Sequence, residues 1–215
     1  MGYMKVIRRT DELVNTLMLA ILCGDLTEGD VLPSGQLLGS QHNVSRTVVR
    51  EAFRILGAKG MIEAKPRSGT RVAPIAGWAL WDSNVLDCLA KTDHAAKIDP
   101  HIADMRAAIE PALAALAASR ANPDDLAELQ RQMRELQQTP NLEAEISYLA
   151  GIFKISGNPF AGNVLNLSFW ACKRYRDVPV SAYSQLTVSI CQGQPEAARR
   201  FALQAILTRV EIMES

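Results

Sequence analysis

The stretch VSRTVVREAFRILGAKGMIEAKPRSGTRV, residues 44–72, decides how the N-terminal part of this chain folds. Ser45 suits a helix N-cap, and apolar residues recur at helical spacing from Val48 to Leu56. A glycine-containing segment then ends the helix. Two short runs of alternating apolar and polar residues follow, joined by a turn at residues 65–69 that contains two cations. The pattern predicts a helix followed by a basic β-hairpin.

A second, shorter helix is predicted just upstream of this stretch. Ser34 can cap it, the apolar pair Leu37-Leu38 lies within it, and the polar residues 41–43 end it. Two short helices followed by a basic hairpin are typical of a winged helix-turn-helix. In that fold the second helix enters the major groove of DNA.

The start of the second helix carries side chains that suit DNA. Arg46, Thr47 and Arg50 are predicted to lie on its outer face, near free backbone N–H groups that attract phosphate. An arginine can donate two parallel hydrogen bonds to O6 and N7 of a guanine. The alternative is that Arg46, Arg50 and Arg67 are ordinary solvated charges. The combination of both helices with the basic hairpin favours DNA binding.

These motifs resemble the N-terminal domain of the GntR family of bacterial regulators. The similar runs are LPSxxxL, VSRTVVREAFRxL, KGMIE and RxGTRV, and the resemblance covers residues 10–73. It implies that the partner is operator DNA, read in the major groove by the recognition helix and in the minor groove by the wing tip. Gln36 stands where the family usually has a basic residue. The predicted DNA-binding residues are Ser34, Gln36, Ser45, Arg46, Thr47, Arg50, Arg67, Ser68 and Gly69.

The charge of the chain is distributed unevenly. Its 215 residues are 48% hydrophobic and have a formal net charge of zero. Residues 1–75 hold ten lysines and arginines against seven aspartates and glutamates, a charge of +3, whereas residues 76–215 hold thirteen against sixteen, a charge of −3. We therefore predict a winged helix-turn-helix domain over residues 1–75 and a helical domain over residues 76–215. DNA binding by the basic half is expected to depend strongly on salt.

The cysteines and the N-terminus indicate the cellular compartment. The four cysteines are far apart and form no Cys-x-x-Cys pair, so they are predicted to be reduced, buried thiols. Residues 1–9 lack the apolar core of a secretory leader, and no apolar run of 18 residues is present. The sequence predicts a soluble, cytoplasmic protein without membrane contact. The cysteines are Cys23, Cys88, Cys172 and Cys191.

The rest of the chain is predicted to be helical. Two tryptophans, Trp78 and Trp81, follow a predicted linker at residues 74–77 and belong either to a docking surface or to an ordinary core. From residue 99 onward, helical segments are separated by proline or glycine. The predicted fold is mainly α, with an N-terminal winged helix-turn-helix and a C-terminal antiparallel bundle of five or six helices. Thr10 and Asp99-Pro100 are predicted to cap the first long helix of each part, and Met105 to lie on the buried stripe of the second.

The helical half resembles the effector-binding bundle of the FadR subfamily of GntR regulators. The similar motifs are Asp104-x-Arg106-x-x-Ile109-Glu110, Ser156-Gly157-Asn158-Pro159 and Gly193-x-Pro195-Glu196, over about residues 79–212. Many such bundles hold a divalent metal on an Asp-x-x-x-His pair and two further histidines. The corresponding positions in this chain are Glu145, Leu149, Tyr183 and Ala205. One carboxylate without an imidazole is a poor transition-metal site, so no metal or other cofactor is predicted.

A metal-free pocket needs other polar groups to hold a metabolite. Arg106 faces the predicted bundle and could bind a carboxylate through two hydrogen bonds; the alternative is an internal ion pair with Glu110 or Glu145. Arg174 has a solvated helix end as its alternative. The run WALWDSNVL, residues 78–86, is similar to one in sugar-acid regulators of the family, so the predicted effector is a small carboxylate or sugar acid. The predicted effector-binding residues are Arg106, Glu145, Asn158, Arg174 and Tyr183.

Catalysis is not indicated by the sequence. The three histidines, His42, His94 and His101, are each expected to be solvated, and no nucleophile–base or phosphate-loop pattern occurs. The prediction is a homodimeric transcriptional repressor that reads palindromic half-sites in double-stranded operator DNA and responds to a small molecule. Two alternatives are a metal-free architectural DNA-binding protein whose bundle only dimerises, and a metal-dependent enzyme or carrier, which the missing histidines disfavour.

Overall fold

The structure is a computed structural model that describes residues 2–65, 68–174 and 177–213. The chain divides into two compact units, Met1–Ala95 and Ala96–Ser215. The predicted domain boundary after residue 75 remains a prediction. No helix in the described ranges is long and apolar enough to cross a membrane.

The first unit contains the predicted winged helix-turn-helix. The two strands pair antiparallel, with Ile62 opposite Val72 and Lys65 opposite Gly69, and Val31 adds an isolated bridge to Arg71. The fold class predicted from the sequence is confirmed. The elements are α1 (Gly2–Cys23), α2 (Gly35–Gln41), α3 (Arg46–Ala58), β1 (Ile62–Lys65), β2 (Gly69–Val72), a short 3-10 helix (Ile75–Gly77) and α4 (Ser83–Leu89).

Side-chain caps start the two helices of the helix-turn-helix. The Ser34 hydroxyl accepts a hydrogen bond from the backbone N–H of Leu37 at 3.2 Å, and the Ser45 hydroxyl accepts one from Val48 at 3.3 Å. Both caps were predicted and are confirmed. The predicted cap at Thr10 is wrong. Thr10 is buried and lies inside α1. The helix starts before it because the preceding run YMKVIRR contains no glycine or proline that would break a helix.

Helix α1 packs behind the recognition helix α3. Apolar side chains of α1 are buried in the same unit as those along one face of α3, and burying each large aliphatic side chain contributes about 1.5–3 kcal/mol. The opposite face of α3 is left exposed. The buried residues are Leu13, Leu17, Met18 and Ile21 on α1, and Val48, Val49, Ala52 and Leu56 on α3.

The segment after the wing is fixed against the end of α3. Gly60 ends α3 with φ +69°, and a Cβ placed on it would lie 2.0 Å from the carbonyl oxygen of Gly77. The backbone N–H of Ala79 donates to the Lys59 carbonyl at 2.9 Å, and Lys59 Nζ lies 2.6 Å from Asp82 Oδ1. The predicted linker is therefore packed onto the winged helix-turn-helix. Trp78 is half-buried, and its indole N–H donates to the Ala73 carbonyl.

The second unit is the predicted helical bundle. Helices that follow one another pack together in three cases, α6 with α7, α7 with α8 and α9 with α10, and α6 also contacts α9. Leu113, Ala114 and Ala117 of α5 belong to the same apolar core. The elements are α5 (Ala95–Arg120), α6 (Pro123–Gln138), α7 (Leu142–Ile155), α8 (Ala161–Arg174), α9 (Val180–Cys191) and α10 (Pro195–Met213).

The start of α5 differs from the prediction. The helix begins at Ala95 instead of at an Asp99-Pro100 cap, because helix-forming residues precede Asp99, and Pro100 in the second turn lacks the N–H for one helical hydrogen bond. Met105 is 41% exposed, so the predicted stripe is wrong at this position. The buried face passes through Ile102 and Arg106 instead.

The cysteines are reduced, but not all are buried. All four are free thiols. Cys88 and Cys172 are buried, as predicted, and burial raises the pKa of Cys88. The prediction is wrong for Cys23, which is exposed at the last residue of α1, and Cys191 is only half-buried.

Substitution of Gly60 tests the close contact after α3. Gly60→Ala should lower the free energy of unfolding by about 3 kcal/mol or more, because the new Cβ meets backbone and the residue keeps a left-handed conformation. Gly24→Ala is the matched control, since Gly24 has φ +84° with nothing within 4 Å. It should cost only about 1–2 kcal/mol. Urea denaturation gives both values, and equal losses would contradict the contact.

Substitution of Asp82 tests the ion pair with Lys59. Burial alone would raise the pKa of Asp82, but the Lys59 hydrogen bond and the backbone N–H groups of Val85 and Asn84 lower it overall. Asp82→Asn keeps a side chain that can cap α4 but removes the charge, so it should cost about 1 kcal/mol at pH 7. Because the folded pKa is lowered, this difference should shrink as the pH falls below about 4. A difference that is constant with pH would contradict this role.

Candidate DNA-binding surface and effector site

The exposed face of α3 carries the predicted DNA-reading side chains. Arg46, Thr47 and Arg50 are exposed, and they lie at the N-terminal end of the helix opposite its buried apolar face. Within the described residues, neither Arg46 nor Arg50 forms an ion pair, whereas Arg54 is held by Glu51 with Nη2 2.6 Å from Oε1. The two arginines at the start of the helix are thus placed to meet base edges and phosphates.

The turn between α2 and α3 is braced from α1. Asn43 adopts φ +50°, and its carbonyl accepts a hydrogen bond from Arg9 Nη1 at 3.2 Å. The backbone N–H of Val44 donates to the Gly39 carbonyl at 3.0 Å. These contacts fix the angle at which α3 leaves the turn. Sequence reasoning missed Arg9, because its partner lies 34 positions away.

The remaining predicted DNA-binding residues differ in their surroundings. Gln36 is exposed on α2, while the hydroxyls of Ser34 and Ser45 serve as helix caps and act through the position of their helices. Ser68 and Gly69 are exposed at the tip of the wing, where Gly69 has φ +83°. Arg67, predicted for the same tip, lies outside the described residues.

The bundle interior contains a buried ion pair. Arg106 Nε donates to Glu110 Oε1 at 2.5 Å and Nη2 donates to Oε2 at 3.1 Å, and the two side chains are 2% and 5% exposed. The Ser168 hydroxyl donates to Glu110 Oε1 at 2.8 Å. Burial alone would lower the pKa of Arg106, but the Glu110 carboxylate raises it overall. Of the two internal partners considered for Arg106, the structure shows Glu110.

A second polar network lies on α7 and α9. The Tyr183 hydroxyl donates to Glu145 Oε1 at 2.7 Å, and the Tyr148 hydroxyl donates to the Tyr183 carbonyl at 3.0 Å. The hydroxyls of Tyr148 and Thr187 are 2.9 Å apart. Burial raises the pKa of Tyr148. All four side chains are buried, so the network satisfies polar groups inside the core.

A small cavity is lined by one residue from each of these two polar networks. Glu110 and Tyr183 line it together with Leu149 and Ala205, and it offers about 10 Å³ to the centre of a water molecule. That is room for about one water. In its present packing the cavity is smaller than any metabolite.

The four positions that would hold a metal in the family do not fit one. Glu145 accepts the Tyr183 hydrogen bond, and the side chains of Leu149 and Ala205 have no donor atom. A divalent transition metal needs three or four nitrogen, sulfur or oxygen ligands. The described residues contain no group of three or more His, Cys, Asp or Glu that could supply them.

Of the predicted effector residues, Tyr183 lines this cavity, whereas Asn158 and Arg174 lie elsewhere in the bundle. Asn158 is in the α7–α8 turn, where its side chain accepts from the Phe160 N–H, and it lines an open groove of about 450 Å³. Arg174 Nε donates to both oxygens of Asp99 at 2.8 and 3.0 Å. The indole N–H of Trp170 also donates to Asp99, at 2.8 Å. Arg174 is therefore more than a solvated helix end, and the buried Asp99, predicted as a cap, is its partner.

The fold and the exposed basic start of α3 define a winged-helix DNA-binding protein that is joined to an α-helical bundle. Residues 9–72 match the family model of bacterial regulatory proteins, gntR family, and residues 101–207 match the FCD domain. The chain belongs to the GntR family and is a DNA-binding transcriptional regulator.

Two relatives agree with this assignment. The chain is 33% identical to the uncharacterized HTH-type transcriptional regulator YieP of Escherichia coli K12, over 72% of this chain and 70% of that one. It is 32% identical to the galactonate operon transcriptional repressor of the same strain, over 71% and 69%. Both relatives are named as transcriptional regulators.

Two solved structures support the fold alone. A Streptococcus agalactiae GntR protein has a TM-score of 0.51 at 21% identity and covers 96% of this chain and 100% of that one. Lar, which controls the agr system of Listeria monocytogenes, has a TM-score of 0.61 at 18% identity, over 95% and 96% of the two chains.

Arginine substitutions on α3 test the DNA-binding surface. Arg46→Ala and Arg50→Ala should each weaken operator binding by about 1–3 kcal/mol without lowering thermal stability, because each removes an exposed cation from the reading face. Arg54→Ala is the matched control, since it removes the same charge from the same helix but from an arginine held by Glu51. Its effect should be smaller. Near-wild-type affinity of both reading-face variants in a mobility-shift titration would refute the assignment.

Proposed function

We infer that this regulator is a cytoplasmic homodimeric repressor whose operator affinity is controlled by a small carboxylate or sugar acid. In this proposal residues 1–75 form the DNA-binding domain and residues 76–215 the effector-binding and dimerisation domain. The observation that carries the DNA-binding part is the exposed pair Arg46 and Arg50 at the N-terminal end of α3.

Dimerisation follows from the size of the DNA-reading element. Helix α3 has 13 residues, and its exposed start can contact only a few base pairs. A two-fold symmetric pair of such helices reads two half-sites of a palindrome and gains affinity and specificity from both. Symmetry of the operator is thus an expected property of the DNA partner.

The class of effector is suggested by one relative and by the polar groups of the bundle. The galactonate operon repressor is named for a sugar acid. A sugar acid carries one carboxylate, which suits Arg106, and several hydroxyl groups, which suit acceptors such as Glu110 and Glu145. Binding such a ligand would bias the equilibrium between DNA-bound and released states only if its affinity differs between them.

A second function is favoured by a specific observation. Arg106 already has a carboxylate partner, and the neighbouring cavity has room for about one water. These facts suit an architectural DNA-binding protein whose bundle dimerises without sensing a metabolite. The two proposals differ in whether any small molecule changes operator affinity.

A mobility-shift titration distinguishes the two functions. The purified protein is titrated onto its own upstream intergenic DNA, alone and with a panel of sugar acids, simple carboxylates and a chelator. Release or tightening by a sugar acid, with no effect of the chelator, is the expected result of a metal-free sensor. A complex that forms but ignores every compound would support the architectural function, and absence of any complex would contradict both.

A further inference from the structure

We propose that Glu110 is a built-in competitor for the effector, a carboxylate attached to the same helix as Arg106 that occupies the place of an effector carboxylate. This inference deepens the proposed function and rests on it for the identity of the effector. Its physical content concerns only residues of this chain, so it can be tested without DNA.

The geometry of the pair is that of a bound carboxylate ligand. Arg106 offers Nε and Nη2 to the two oxygens of Glu110, the side-on fork by which a guanidinium binds a free carboxylate. The residues are four apart on α5, so a helical neighbour supplies what a ligand would otherwise supply. The donors that an effector would need first are therefore engaged.

Because Arg106 is buried, it needs the negative charge of the Glu110 carboxylate. Arg106 is 2% exposed, and among the described side chains it is the one buried cation. An arginine cannot lose its proton to escape the cost of burial. Loss of Glu110 would therefore leave a cation in the core that requires another anion.

Glu110 is also held in place by a second helix. The Ser168 hydroxyl of α8 donates to Glu110 Oε1 at 2.8 Å and is itself 3.3 Å from the Val164 carbonyl. A carboxylate that is both covalently attached and preorganised competes with a dissolved one at a very high effective concentration. Simple monocarboxylates should therefore bind the wild-type bundle poorly.

The space that Glu110 fills is continuous with the cavity. Glu110 lines the cavity beside Ala114 and Tyr183, so shortening its side chain joins the vacated volume to the existing space. The volume vacated by the Glu110 carboxylate lies beside its partner Arg106, and the cavity that it joins is bounded by apolar residues such as Leu149. Its size and charge suit formate or acetate.

The wild-type protein should therefore distinguish its effector from simple carboxylates. A single carboxylate is not enough for an effector that displaces Glu110. The effector must also carry hydroxyl groups that donate to the displaced Glu110 and to Glu145. A sugar acid meets this requirement, whereas acetate does not. The built-in competitor thus sets a threshold for specificity.

Chemical rescue of Glu110→Ala tests the competitor. In chloride buffer at pH 7.5, the Tm of this variant should lie about 10 °C below that of the wild type, because a buried cation has lost its partner. Replacing 100 mM chloride by formate or acetate at equal ionic strength should recover about half of the loss and saturate with concentration. The wild-type Tm should not distinguish acetate from chloride.

Two further measurements keep the test decisive. If Glu110→Ala is recovered unfolded, its refolding yield in acetate against chloride, followed by circular dichroism, becomes the readout. The double variant Arg106→Met with Glu110→Met has no buried charge and should ignore acetate. An unchanged Tm of Glu110→Ala, absence of acetate-specific recovery in either assay, or an equal acetate response of the double variant would overturn the proposal.

Failure of this inference is distinguishable from failure of the proposed function. Rescue by acetate together with an operator complex that ignores all sugar acids would leave the competitor established and refute the effector class. Operator release by a sugar acid without rescue of Glu110→Ala would support the sensor and overturn the role of Glu110.

Discussion

A guanidinium inside a helical bundle must be neutralised, and in this protein that requirement organises the interior of the second unit. Arg106 and Glu110 satisfy one another through two hydrogen bonds, and Ser168 ties the carboxylate to α8. A buried ion pair of this kind is a poor source of net stability, because both charges have lost their hydration. Together with Ser168, the pair links α5 to α8 through hydrogen bonds at a defined position.

In the first unit, the main constraint is that α3 has one buried apolar face and one exposed basic face. Apolar residues of α3 such as Ala52 and Leu56 are fully buried, so Arg46 and Arg50 must point away from the core. Caps at both helix starts and the brace from Arg9 to Asn43 fix how that basic face is presented. Rigid support of this kind lets exposed side chains meet DNA without a large ordering cost.

The helical bundle departs further from the motifs of the family than the winged helix-turn-helix does. The winged helix-turn-helix has an exposed basic start of α3, while Gly35, Gln36 and Leu37 of α2 stand where the family usually has a charged run. In the bundle, the metal positions hold Glu145, Leu149, Tyr183 and Ala205, and a hydrogen bond between the first and third replaces coordination.

The sequence by itself determined which segments are helical, the wing, the two serine caps and the family, but not where α1 and α5 begin. These features depend on periodicity and on contacts between residues three or four positions apart, which a chain displays directly. It also placed Arg106 inside the bundle, but left its partner open between a ligand and two glutamates.

Only the tertiary structure decided which distant groups meet. It joined Asp99 to Trp170 and Arg174, 71 and 75 positions away, where local chemistry had predicted a helix cap. It brought the Tyr183 hydroxyl to Glu145, with which it forms a hydrogen bond. It also left a cavity between Glu110 and Tyr183 with room for about one water. The physical reason is that burial and hydrogen bonding between helices depend on how the helices pack, which the spacing of residues along one helix does not specify.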